Sequence, residues 1–443
     1  MVKINHYGLF FWLAMVSCSS IAAAAQNHCV WQQHSKLVAL DSVAGDAFGR
    51  AVAIDGNCCV VGACWDDEPW NRSGSAYVFE LESSDWVYKA KLIASDVAAG
   101  DEFGSSVSVS GSYAVVGAPY NDSRGSDSGC AYIFKRDGSD WVLDCKLTAS
   151  DGDASAFFGE AVSISGTCCI VGAPGGGDDV RACGAVYVFE RQGDVWTEKT
   201  KLLAADGAAD DRFGYSVSLS GQDCVVGAPW DDNGVANGGS VYIFTRDHPG
   251  GDTWQQQAKL VASDAETYDL FGSSVSISGD YALVGSPNDD ENGQISGSAY
   301  LFVRNGLTWM YRKKLTPIGG ETLDQFGWSV CISGDRAIVG APEFAPDEIS
   351  APGSAYVFQD TGDDWVERTG LRADDEKPTN WFGLSVCVSG NYAIIGAWGD
   401  SDKRGAAYVY RCAVCPSADL DGDCLVDFSD LAIMAGQWLQ RGQ

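Results

Sequence analysis

The chain is poor in the residues that most enzymes and nucleic-acid binders need. It has 4 His in 443 residues, and past residue 25 only His28, His34 and His248 remain, none at a metal-ligand spacing. No Gly-x-Ser-x-Gly turn is present to expose a nucleophile, and no Gly-rich loop with a Lys to cradle phosphate. Abundant Asp leaves a carboxylate pair for glycoside hydrolysis open, but no two are singled out by position. Basic residues are scarce too: 29 Lys and Arg stand against 60 Asp and Glu, a net charge of −31. That sign repels a phosphate backbone and argues against nucleic acid as partner. Beyond the N-terminus no apolar run could cross a bilayer, so no transmembrane span is expected in the mature chain.

What the chain has in quantity is one repeated unit. A Phe-Gly pair begins at Phe48, Phe103, Phe158, Phe213, Phe271, Phe326 and Phe382, a period of 55 to 58 residues. Fourteen residues after each Phe stands a Gly that opens Gly-Ala-Pro or a near copy, at Gly62, Gly117, Gly172, Gly227, Gly285, Gly340 and Gly396. Short β-branched and aromatic runs between turn signals read as strands. A Gly eight residues past each Phe, as at Gly56 and Gly111, sits first in a two-residue loop, the position a type II′ hairpin demands. The third strand, as in Gly239-Ser240-Val241-Tyr242-Ile243-Phe244, is apolar on both faces and should be covered on both. The fourth carries a Trp followed five residues later by Lys-Leu, as in Trp86 with Lys91-Leu92.

The seventh unit lacks that fourth strand, and the missing piece stands at the other end as Trp31 with Lys36-Leu37. The N-terminal strand therefore completes the last blade and removes the open edge of a linear array. The expected fold is all-β: a seven-bladed propeller of four-stranded blades over 26–412, with a short C-terminal calcium-loop and helix element.

The Phe-Gly…Gly-Ala-Pro units resemble FG-GAP repeats, the blades of the integrin α-subunit head and of many bacterial surface proteins. The resemblance implies a binding or adhesion module. Some integrin blades carry an Asp-rich calcium loop between their first two strands; here that connection is only the Gly-x turn, so those sites do not carry over.

Residues 1–25 read as a signal peptide, with Lys3, an apolar run from Gly8 to Val16 and small residues at Ala22–Ala25. A lipoprotein signal ending at Cys18 is a weaker fit, because Met15 stands where a Leu-like residue is expected. The protein is thus expected to be secreted or at the cell surface, and its 16 Cys fit an oxidising compartment. Aligning the repeats places Cys29 beside Cys412 where the ring closes, as a disulfide or as two neighbouring thiols. Cys130 and Cys145 flank one hairpin and form a second candidate pair. Cys331 and Cys387 replace a small strand residue.

The repeat also places the acid. Connections from second to third strand and from fourth strand to the next blade emerge on one face, and both are acidic. Asp66, Asp67, Asp231, Asp232, Asp289 and Asp290 follow the Gly-Ala-Pro slot. They read either as turn-forming residues on a solvated face or as a surface for a divalent cation or a cationic partner. Trp65, Tyr120 and Trp230 stand at the root of the same face, placed either to stack on a glycan or to pack under their own loops.

After a linker at 413–418, the segment 419–443 begins with Asp419, Asp421, Asp423, Asp427 and Asp430 at positions 1, 3, 5, 9 and 12 of a loop. That spacing wraps oxygen ligands around Ca²⁺, with the Leu425 carbonyl at position 7. The alternative is an acidic capped helix without metal. The tail resembles half of a dockerin, which implies a cohesin-like partner, although only one copy is present and Cys424 replaces the usual Gly. The sequence thus predicts a non-catalytic, calcium-associated binding propeller whose acidic loop face recognises a protein or glycan ligand. The alternatives are a polysaccharide-associated protein and a structural surface protein.

Overall fold

The strand nearest the N-terminus belongs to the last blade. β1 (Cys29–Leu37) pairs with the final strand, Ala406–Val414, which is followed in the same sheet by Tyr392–Ala397 and Ser385–Ser389. The first complete blade follows in sequence order as β2 (Phe48–Asp55), β3 (Cys58–Ala63), β4 (Ser75–Glu82) and β5 (Asp85–Leu92). Seven four-stranded sheets are formed in all. This is a computed structural model, and it describes residues 29–177, 183–248, 253–343, 352–375, 377, 380–414 and 433. Among them no helix is long and apolar enough to cross a membrane. The signal segment and the calcium loop from Asp419 to Asp430 lie outside the described residues.

Local geometry follows the repeat. Asp55 faces Cys58 across the β2–β3 ladder, and Gly56 takes φ 56°, the positive value needed by the first residue of a two-residue II′ turn. The apolar third strand is buried on both faces, from Ser75 through Glu80 in β4. Each motif Phe is fully buried and packs edge-on against aromatics of its own third strand, as Phe48 does on Tyr77 at 5.4 Å. The repeated Trp of the fourth strand reaches the preceding blade: the Trp141 indole donates to Glu80, and Trp86 meets Tyr392 at 5.6 Å. These Trp are framework residues.

The two motif glycines are explained by one contact. A Cβ on Gly62 would stand 2.0 Å from the carbonyl oxygen of Gly104, the Phe-Gly glycine of the next blade. The same approach recurs at every junction and closes the circle, since Gly396 meets the Gly49 oxygen at 1.9 Å. Backbone therefore touches backbone at each blade boundary, where only glycine fits. In five blades a serine reinforces the contact, as where the Ser106 hydroxyl donates to the Gly159 carbonyl at 2.7 Å.

Contacts divide the chain into Gln33–Tyr410 and a second unit containing residues to Gln32 and from Arg411 on. The second unit holds the Cys29–Cys412 disulfide, with Cα atoms 5.4 Å apart. Cys130 and Cys145 are not a pair: the register sets Cys145 opposite Ile133 and Cys130 opposite Ala118, and both thiols are free.

Candidate functional site

The acidic loops are built around a network inside each blade. In the first blade the Tyr77 hydroxyl donates to Asp41 at 2.8 Å and to Asp66 at 3.1 Å. Lys91 joins the same two carboxylates at 2.6 and 2.8 Å. The set repeats as Tyr242, Lys259, Asp206 and Asp231, and again as Tyr300, Lys314, Asp264 and Asp289. In the seventh blade the lysine is Lys36 of β1, bound to Asp375 and Asp400. Asn121 replaces the second Asp in blade two, and Gly176 in blade three. Blade six has Gly319 and Gly370 at the Asp and Lys positions, and among the described residues it forms no such network.

Asp66, Asp231 and Asp289 are accordingly buried. Burial opposes ionisation, yet the Lys and Tyr partners hold Asp231 and Asp289 below the usual carboxylate range. Their neighbours cap the same loops: Asp67 accepts from the Arg72 amide at 2.9 Å, Asp232 from Asn237 at 3.0 Å and Asp290 from Ile295 at 2.6 Å. All six carboxylates singled out in the sequence thus form hydrogen bonds within the fold. Among the described residues no group of three or more His, Cys, Asp and Glu is placed to hold a metal ion.

A second set of acids titrates the other way. Asp46 and Asp211 each cap a turn just before the motif Phe, accepting from the Val43 and Ala208 amides at 2.6 Å. Burial raises both pKa values to about 6, with the charge of the loop Asp adding to the shift. The folded state therefore binds these protons more tightly than the unfolded chain, and stability should rise as pH falls from 7 towards 4. Below the ordinary Asp value the lowered carboxylates of the Lys–Tyr networks take up protons and that stability is lost. A calorimetric melting profile should therefore peak near pH 4 to 5. A melting temperature that falls steadily from pH 7 to pH 5 would contradict this assignment.

Beside these networks, on the same face, lies the mouth of the central channel. Its residues come from three columns of the repeat that change from blade to blade while the fold-bearing columns stay constant. The residue after Phe-Gly is Arg50, Ser105, Glu160, Tyr215, Ser273, Trp328 or Leu384. The residue before it is Ala47, Glu102, Phe157, Arg212, Leu270, Gln325 or Trp381, each at φ between 50° and 59°. Left-handed backbone is uncommon for non-glycine residues, and here it recurs at the same position in every blade. The third column follows the Gly-Ala-Pro slot and contains Trp65, Tyr120 and Trp230.

The first of these columns lines a cavity of about 290 Å³ through Arg50, Ser105, Tyr215, Ser273, Trp328 and Leu384, joined by Leu270 of the second and Trp230 of the third. Below it a channel of about 240 Å³ runs between the inner strands of all seven blades. Trp230 lies edge-on to Tyr215 at 4.9 Å with the Arg212 guanidinium 4.7 Å over its ring. Trp65 meets Trp398 at 4.9 Å, Trp398 stacks obliquely on Trp381 at 4.4 Å, and Arg72 covers Trp65. Tyr120 is exposed and touches Phe157 at 5.7 Å. Burial raises the Glu160 pKa against the pull of the Arg50 charge, and raises Glu102 against Arg50 and Arg72. The mouth thus offers aromatic faces, the exposed guanidinium groups of Arg50, Arg72 and Arg212, and two partly desolvated carboxylates.

The sequence reading singled out Trp65, Tyr120 and Trp230 and passed over Arg50, Tyr215, Trp328 and Trp381. Variation at fixed columns within a constant repeat is the signal that marks them. The family model for the FG-GAP repeat matches residues 31–79, 86–134, 141–189, 196–244, 254–302, 309–358 and 365–410. The chain is an FG-GAP repeat protein. Each match runs from the Trp of one blade's outer strand into the third strand of the next, so the seventh ends on the strand that pairs with β1. Among solved structures, the FG-GAP protein is similar to a chain in the crystal structure of a mitotic checkpoint complex. The two share 12% identity over 93% of this chain and 99% of that one, with a TM-score of 0.51. At that identity the likeness concerns fold alone. No curated protein sequence matches the FG-GAP protein.

Proposed function

We propose that this FG-GAP propeller is an exported, non-catalytic binding module that recognises its ligand at the channel mouth, within the acidic loop face. One observation carries the reading: the residue after Phe-Gly varies from blade to blade though the fold does not need it to, and six of its seven copies line one cavity, with Leu270 and Trp230 from the two other varying columns. A site that only closed the ring would repeat with the ring. The calcium loop at Asp419, Asp421, Asp423, Leu425, Asp427 and Asp430 is proposed as a separate Ca²⁺ site in the tail. A second reading, a polysaccharide-associated protein, is favoured by the partly exposed aromatic faces of Tyr215, Trp230 and Trp328, since sugars stack on such rings.

The test passes the full-length protein over immobilised collagen and over insoluble xylan, in calcium and in chelator, beside two variants. Tyr215→Ala with Trp328→Ala should reduce retention at least tenfold on whichever support binds the wild type. Asp419→Ala with Asp423→Ala should leave retention intact while abolishing calcium binding by calorimetry. Unchanged retention of the first variant overturns the placement at the mouth. Release of soluble sugar from xylan overturns the non-catalytic reading.

A further inference from the structure

One column of the inner strands couples neighbouring blades. Five residues past each motif Phe stand Ala53, Ser108, Ser163, Ser218, Ser276, Cys331 and Cys387. Each of the four serines accepts a backbone N–H from the inner strand of the next blade, as Ser276 does from Ile332 at 3.0 Å. Cys331 occupies the same place, with its Sγ 3.2 Å from the Val388 amide. It also lies 3.5 Å from the Sγ of Cys387. Both residues are of intermediate burial, on strands whose residues Ser329 and Ser385, two positions earlier, line the channel.

We propose that Cys331 and Cys387 form a redox-active pair that closes to a disulfide and joins the inner strands of blades six and seven. The sulfurs must approach by about 1.5 Å to reach the bonded distance of about 2.05 Å, a movement within the reach of side-chain rotation. Contact with Cys387 favours the thiolate of Cys331, which makes Cys331 the attacking sulfur. The acceptor is a small-molecule disulfide entering along the channel. The Cys331 thiolate attacks one sulfur and expels a small thiolate, leaving a mixed disulfide. Cys387 then loses its proton and displaces the second small thiolate. In sum two protein thiols are oxidised and one small disulfide is reduced to two thiols.

The position has a structural sense. Blade six is the one with Gly319 and Gly370 where other blades hold the Asp and Lys of the internal network. A covalent link there restrains the blade that lacks those ion pairs, next to the blade that closes the ring.

The full-length protein is incubated with oxidised glutathione, denatured without reductant, alkylated, digested and analysed by mass spectrometry. The expected product is a cross-linked peptide pair joining Cys331 to Cys387, two hydrogens lighter than the free peptides, while buried Cys59 and Cys224 are alkylated. A Cys387→Ser variant should instead hold glutathione on Cys331 as a stable mixed disulfide. Full alkylation of both Cys331 and Cys387 in molecules that retain Cys29–Cys412 overturns the pair. Absence of any adduct on Cys331 in the variant overturns access through the channel, and the proposal with it.

Discussion

Gly285→Ala should destabilise the protein by about 3 to 5 kcal/mol, at the upper end for a single added methyl. Its Cβ would stand 1.9 Å from the Gly327 carbonyl oxygen and 2.3 Å from the Ser274 hydroxyl. The first atom is backbone of the adjacent blade, so relief requires two inner strands to separate. In a closed ring that displacement is passed to the other junctions. Gly279→Ala is the informative control: its position is at φ 56° with nothing within 4 Å of an added Cβ. It should cost about 1 to 2 kcal/mol from backbone strain alone. Urea midpoints of the two variants separate the effects. A Gly285→Ala protein as stable as Gly279→Ala would show that the blades are not in rigid contact at the motif.

The second large effect is expected on opening the Cys29–Cys412 link. The bond joins residues 383 apart in sequence, and closing so long a loop restricts the unfolded chain strongly. The chain-entropy model sets the contribution at roughly 6 kcal/mol, and native links in practice deliver about 2 to 5. Cys412→Ser should therefore lower the melting temperature by several degrees and admit urea at lower concentration, with the seven-bladed fold retained by circular dichroism before the transition. An unchanged midpoint would mean that the paired strands already hold the seam closed without the bond.

Much of the architecture was legible because the repeat is spaced by contact, not by composition alone. The fourteen-residue offset from Phe48 to Gly62 sets two glycines where successive blades meet. The stray Trp31 and Lys36 are recognisable as the fourth strand missing after Tyr410. The acidic loops were less transparent. Asp66 and Asp67 are neighbours of the same type, yet one is buried beneath Tyr77 and Lys91 and the other caps a turn from the surface. Nothing in the pair itself distinguishes them, because the partners arrive from strands 11 and 25 residues later. The mouth was obscured for the opposite reason. Arg50, Glu160, Tyr215 and Trp328 do not repeat, so a reading that follows the repeat passes over them.

The strand order has a consequence for how the ring is made. β1 is the first part of the propeller to be synthesised, and its partner, Ala406–Val414, is the last. Lys36 likewise waits for Asp400. During synthesis six blades can form in turn while the earliest segment remains an unpaired β-edge, open to mispairing with any other exposed strand. The clasp that stabilises the finished molecule therefore leaves the nascent chain dependent on reaching its far end, and a chain interrupted before residue 406 can neither close nor protect its beginning.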